Sequence, residues 1–184
     1  MHEDRFDPNN DQETKMATRH LLLFTLILPL MAAAQDTASN IAAVGKVIDD
    51  FHDAAAHGDK DRYLGLLTEN AVFMGTDEWG RWPKHPNFSE YVDSRFNDGT
   101  GWNYKSVERT VRIGERSDIA WFDEVVYSET NGRFRGTGVL THDSGQWKLE
   151  HYAMSFLILN ENWDEVIELT KKTQRLKDAD AASK

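Results

Sequence analysis

From Asn40 to His57 the apolar positions Ile41, Val44, Ile48, Phe51 and Ala55 recur at steps of three and four. That spacing predicts an amphipathic helix, capped by Ser39 or Asn40 and ended by Gly58. A short second helix is expected over Asp59–Leu67, with Tyr63, Leu66 and Leu67 turned inward, then a brief strand over Ala71–Thr76. The stretch Asp77–Asn87 holds Gly80, Pro83 and Pro86 and reads as a loop. A third helix follows over Phe88–Phe96, with Phe88, Tyr91, Val92 and Phe96 on one side.

Beyond Gly101 the period drops to two. Four long strands are predicted at Trp102–Ile113, Asp118–Glu129, Arg133–His142 and Gln146–Leu159, joined by short polar turns that include Asn131-Gly132, a strong hairpin signal. Helical spacing returns over Asn160–Lys177 through Trp163, Val166, Ile167 and Thr170, with Asn162 and Glu165 in capping-box positions. The tail, residues 178–184, is expected to be disordered. Helices first and strands later predict an α+β fold: a strongly bent antiparallel sheet wrapped around three N-terminal helices, plus a C-terminal helix. A cavity is expected between the layers.

The first residues read differently. Residues 1–15 are polar and irregular. Met16, Arg19 and His20 then precede an eleven-residue apolar run, Leu21–Met31, and three alanines. A positive start, an apolar stretch and an A-x-A step predict a secretory signal over residues 16–34. A retained anchor and a buried core helix are the alternatives, although the run is short for a membrane span of about 20 residues. On this reading translation starts at Met16, residues 1–15 are extraneous or disordered, and the exported, periplasmic or secreted protein begins at Gln35 with no stable membrane insertion after cleavage.

The chain has 184 residues, a formal net charge of −10 and no cysteine. Such acidity disfavours nucleic acid as a partner. Disulfides and thiolate chemistry are excluded. Six Trp, nine Phe and five Tyr supply ring area of the kind that lines ligand cavities. No phosphate-binding or nucleophile-elbow motif is present, so no cofactor is expected. His52 and His57 sit five apart, poor spacing for one helix face, and no metal site is expected.

Several short motifs stand in a telling order. His57-Gly58-Asp59 follows the first helix, and Phe73-Met74-Gly75-Thr76-Asp77 closes the first strand. Phe88, Tyr91, Arg95 and Phe96 precede Gly101-Trp102-x-Tyr104. Ala120-Trp121-Phe122-Asp123-Glu124, Arg135-Gly136-Thr137-Gly138 and Trp147-x-Leu149-x-His151-Tyr152 complete the set. Over about residues 41–158 this pattern resembles the SnoaL-like branch of the nuclear transport factor 2-like superfamily, so residues 40–159 are read as one SnoaL-like domain and 160–177 as a helix beyond it. The resemblance implies a cone-shaped sheet enclosing a pocket. Its members include dehydratases, isomerases, polyketide cyclases and pure binding or assembly modules, so the fold leaves the function open. Many relatives carry His-x-His in the last strand; here Ala153 occupies the next same-face position after His151, and a two-histidine site is not expected.

Period two puts Trp147, Leu149, His151, Ala153 and Ser155 on one face of the last strand, read as the cavity wall. Asp123 and Glu124 point to opposite faces, so only one enters the cavity, where burial would raise its pKa or Arg135 or Arg95 would pair with it. Trp79 and Trp82 in the loop are expected to lid the cavity. The catalytic candidates are His151, Asp77, Asp123 and Glu124. Ligand contacts are expected from Trp79, Tyr91, Arg95, Trp102, Trp121, Arg135, His151 and Ser155, with Asp77, Arg95 and His151 converging. The expected function is binding of a small organic ligand in an aromatic-lined pocket. A cofactor-free lyase or isomerase and a dimeric assembly module are the alternatives. An inward carboxylate–histidine pair would mark the enzyme. A homodimer through the sheet face away from the helices is expected.

Overall fold

The computed structural model describes residues 36–97 and 101–183. The expected signal and the segment before it lie outside the described residues. Helix α1 covers residues 36–57 and already contains Ser39 and Asn40, so neither caps it. Its end is as the sequence indicates: Gly58 takes a φ of 63°, a left-handed turn that a residue with a Cβ adopts only under strain. Helix α2 (Lys60–Gly65) and strand β1 (Leu67–Met74) follow. Strand β2 (Arg81–Pro83) lies inside the expected loop, pairing Trp82 with Phe73. A π-type turn (Lys84–Phe88) leads into α3 (Ser89–Phe96).

The four long strands are β3 (Lys105–Ile113), β4 (Ile119–Ser128), β5 (Gly132–Asp143) and β6 (Gln146–Phe156). Their order in the curled sheet is β2-β1-β6-β5-β4-β3. The expected antiparallel meander is present, but the sheet is mixed: β1 runs parallel to β6. The chain reaches β6 only after traversing the other strands, and it arrives pointing the same way as β1.

One face of the sheet packs on the helices. Val44, Ile48, Phe51 and Ala55 of α1, Tyr63 of α2 and Val92 and Phe96 of α3 meet Phe122, Val126, Leu140, Leu149 and Tyr152 in a single core. Helix α4 (Trp163–Ala182) has no buried residue. It runs past the predicted end at Lys177 and through most of the tail expected to be disordered, and Asn162 makes no side-chain cap. Among the described residues no helix is long and apolar enough to cross a membrane.

An irregularity in β6 decides which residues reach the interior. Val139 pairs with His151, yet the next residue of β5, Leu140, pairs with Leu149. Glu150 is therefore an extra residue, a β-bulge. Because side chains alternate, one inserted residue sends everything beyond it to the opposite face. Trp147 and Leu149 face inward, as expected, but past the bulge Tyr152 and Met154 are the buried residues. His151, Ala153 and Ser155 lie on the outer face, contrary to the unbroken period of two.

Candidate functional site

Glu124 lies at the centre of the inner face with no solvent exposure, while its neighbour Asp123 is exposed and stands 3.9 Å from Arg135. Nε2 of His52, on α1, lies 2.7 Å from Glu124 Oε1, and the Tyr152 hydroxyl donates to the same oxygen at 3.0 Å. Nε of Arg109 donates to Oε2 at 2.9 Å, and the Ser106 hydroxyl donates to it at 3.3 Å. Arg109 also reaches the Gly45 carbonyl and the Asp49 carboxylate, at 3.2 and 2.7 Å, which ties β3 to α1. Its Nη2 lies 2.9 Å from Oε2, but the N–H is not aimed at it. The partner of the inward carboxylate is thus Arg109, not Arg135 or Arg95.

Burial raises the pKa of Glu124, but the hydrogen bond and charge of His52, followed by Arg109, outweigh it and hold the carboxyl below the usual range. The expectation of a raised value fails because the buried surroundings of Glu124 supply donors rather than only apolar groups. Burial, and then the Glu124 charge, pushes the Tyr152 phenol well above its ordinary value, so it keeps its proton and stays a donor. Glycine makes the room: a Cβ at Gly136 would stand 2.5 Å from the Tyr152 hydroxyl and 3.0 Å from Glu124 Cγ.

An ionised Glu124 can only accept, so Nε2 of His52 must carry the proton of their bond. In the neutral ring Nδ1 is then a bare acceptor, and it has no protein partner among the described residues. His52 lines a cavity of about 150 Å³ together with Phe51, Tyr63, Trp82, Tyr91, Trp102 and Tyr152, among others. That volume is about what a cavity needs to take one benzene-sized ring. Asp77 stands at its rim, where its carboxylate accepts from the Trp79 N–H at 2.9 Å. A second hollow, of about 270 Å³, shares Trp102 and Tyr104 with the first and is bordered by Arg95 and Lys105. Among the described residues no group of three or more His, Asp or Glu side chains is placed to hold a metal ion.

Of the expected site residues, Asp77, Tyr91 and Trp102 line the ring-sized cavity and Arg95 borders the adjoining hollow, while Glu124 lies behind the wall, bonded to the lining residues His52 and Tyr152. Trp79 is 79% exposed, and Trp82 fills the inward place instead. Trp121 is 45% exposed and pairs across the outer face with Val139, in one row with His151. Asp123, Arg135 and Ser155 are exposed on that face too. The expected convergence of Asp77, Arg95 and His151 does not occur, because the Glu150 bulge turns His151 away. The residues missed are His52, Arg109, Tyr63 and Tyr152. For His52 a signal existed: it lies four residues after Ile48 and next to Phe51, on the buried side of α1.

A curled sheet with three helices laid into it and a pocket between them is the architecture of the nuclear transport factor 2-like superfamily. Within it, residues 44–159 match the SnoaL-like domain family, and the chain belongs to that family. Solved structures with the same fold include a cystatin-like domain of unknown function from Nostoc punctiforme, at 17% identity and a TM-score of 0.61, covering 80% of this chain and 97% of that one. A nuclear transport factor 2-like protein of unknown function from Pseudomonas putida matches at 15% identity and a TM-score of 0.57, over 68% and 92% of the two chains. A provisionally assigned dehydratase of the same family from Streptomyces avermitilis matches at 14% identity and a TM-score of 0.56, over 66% and 99%. No curated protein matches the sequence.

Proposed function

We propose that the cavity is the active site of a cofactor-independent lyase or isomerase acting on a small, ring-sized carbonyl compound, with His52 as the base. The observation that supports this reading is the His52–Glu124 contact of 2.7 Å on the cavity wall, with Nδ1 left without a partner. A base oriented by a third group is the arrangement that proton transfer needs. Nδ1 takes the proton from the carbon next to the carbonyl. The electron pair of that C–H bond becomes a C=C bond, and the carbonyl π pair moves to oxygen. In a β,γ-unsaturated ketone the resulting dienolate takes the proton back from the imidazolium at the γ-carbon and the double bond moves into conjugation; in a β-hydroxy ketone the enolate instead expels the hydroxyl, which the imidazolium protonates to water. Glu124 stays ionised throughout and stabilises the imidazolium.

The test is exchange of carbon-bound hydrogen for deuterium in one-ring ketones, followed by proton NMR. His52→Gln keeps an N–H for Glu124 but has no basic nitrogen. It is expected to lower the exchange rate by about 10²–10⁴-fold while binding is retained. Tight binding without exchange in the unmodified protein would leave a binding protein, the reading favoured by the four donors that already saturate Glu124.

Export and pairing of two copies form part of the same proposal. Export rests on the signal-like pattern of residues 16–34, and an intact mass retaining Leu21–Met31 would oppose it. Pairing through the outer face rests on its exposed Met74, Ile119 and Trp121. A monomer mass by light scattering at micromolar concentration would oppose that.

A further inference from the structure

Four of the chain's five tyrosines, Tyr63, Tyr91, Tyr104 and Tyr152, line the ring-sized cavity. Tyr152 donates its proton to Glu124. The hydroxyls of Tyr63, Tyr91 and Tyr104 have no hydrogen-bond partner among the described residues. Tyr63 is the telling case, because it is only 2% exposed. Buried polar groups are normally hydrogen-bonded, and an exception calls for an explanation. Among the described residues the one side-chain polar atom sealed from solvent without a partner is Nη2 of Arg109. The Tyr63 hydroxyl is therefore not walled in by carbon, and its residue lines the cavity.

Its position is fixed by packing. The ring stacks on Phe51 at a centroid distance of 4.3 Å and is flanked by Phe96 at 5.4 Å and Trp102 at 6.0 Å. Phe51 is followed by His52, so α1 presents the base and the platform of the phenol from adjacent positions. Burial, and then the neighbouring Tyr104 and Tyr91, push the Tyr63 phenol well above its ordinary value, so it keeps its proton. A fixed, protonated hydroxyl in an aromatic-lined pocket donates to an acceptor that enters, and it is left unsatisfied by a ligand that has none.

We propose that Tyr63 is the specificity-determining donor of this pocket, reading a carbonyl oxygen on a ring-sized ligand and discriminating against hydrocarbons of the same shape. The inference rests on the small-molecule pocket described above but not on His52 acting as a base. Sites built around a buried donor reject analogues that lack the matching group far more strongly than apolar pockets reject a missing methylene.

Acetophenone and α-methylstyrene test this, since they differ only in a C=O against a C=CH₂ group. Affinities are measured by ligand-observed NMR titration for the unmodified protein and for Tyr63→Phe. The expected result is that Tyr63→Phe weakens acetophenone by about tenfold or more, as loss of one buried hydrogen bond does, and leaves α-methylstyrene unchanged or tighter. Comparing each compound with itself cancels its own solvation. Because no protein partner is lost, the variant's thermal midpoint should stay the same or rise. If Tyr63→Phe affects both compounds alike or neither, or lowers the midpoint, the assignment of Tyr63 is wrong while the pocket stands. If neither compound binds up to its solubility limit, the pocket reading falls with it.

Discussion

Two carboxylates adjacent in sequence have opposite fates. Asp123 and Arg135 face each other at 3.9 Å on the outer side of the sheet, with side chains 56% and 44% exposed. Glu124 and Arg109 meet at 2.9 Å on the inner side, at 0% and 12%. The residue types are alike, and only the direction of the strand's alternation differs. Outside, water solvates both charges and the pair contributes little. Inside, each charge depends on the other, and His52, Tyr152 and Ser106 complete the coordination. Burial converts a dispensable contact into one that fixes the orientation of an imidazole.

Breaking the inner pair should therefore be the most costly change. Glu124→Ala is expected to lose about 3–5 kcal/mol of stability, because it strands a largely buried Arg109. Asp123→Ala is expected to lose less than about 1 kcal/mol. Urea denaturation of both variants measures the contrast, and equal losses would erase it.

Acidification sharpens the same difference. The folded-state pKa of Glu124 lies below its ordinary value. Its contribution is thus fully present above the unfolded carboxylate range and is lost as the pH falls through the folded value. Replacing Glu124 with Gln should flatten the acid limb of the stability–pH curve, whereas Asp123→Asn should leave its slope nearly unchanged. Denaturation midpoints between pH 7 and about pH 3, across the ordinary carboxylate range, provide the check.

Smaller effects follow from the room the network needs. Gly136→Ala would drive a Cβ against the Tyr152 hydroxyl and Glu124, at a cost of about 1–3 kcal/mol for overpacking. Thr137→Ala, one residue on and facing out, should change stability by less than about 0.5 kcal/mol. Thermal denaturation of the two variants distinguishes them.

The same two faces show how far the sequence could be read. Helix α1, the third helix, the long strands and their turns follow from periodicity, because a step of 3.6 or 2 is imposed by the backbone and needs no tertiary information. The statement that only one of Asp123 and Glu124 enters the cavity comes from the same rule. The Glu150 bulge does not, since no alternation pattern marks an extra residue whose cause is pairing with β5 and β1. That one residue moved His151 and Ser155 out of the expected site and Tyr152 into it. Trp79 and Trp121 were expected inside on their hydrophobicity, but exposed apolar residues are common on folded chains. In the sequence His52 stands out only as one of a poorly spaced pair with His57. Its real partner is 72 residues away on β4, a pairing visible only once the sheet is curled over the helix.

Glu124 holds His52 through Nε2 on the cavity wall, and the proposed chemistry requires that Nδ1 be bare there. Long-range ¹H–¹⁵N correlation of the His52 imidazole reads this directly. The account predicts that the neutral ring carries its proton on Nε2, and that the unprotonated Nδ1 resonance moves when acetophenone is added. A proton on Nδ1 with Nε2 bare, or an Nδ1 resonance that ignores a ligand shown to bind, would contradict it.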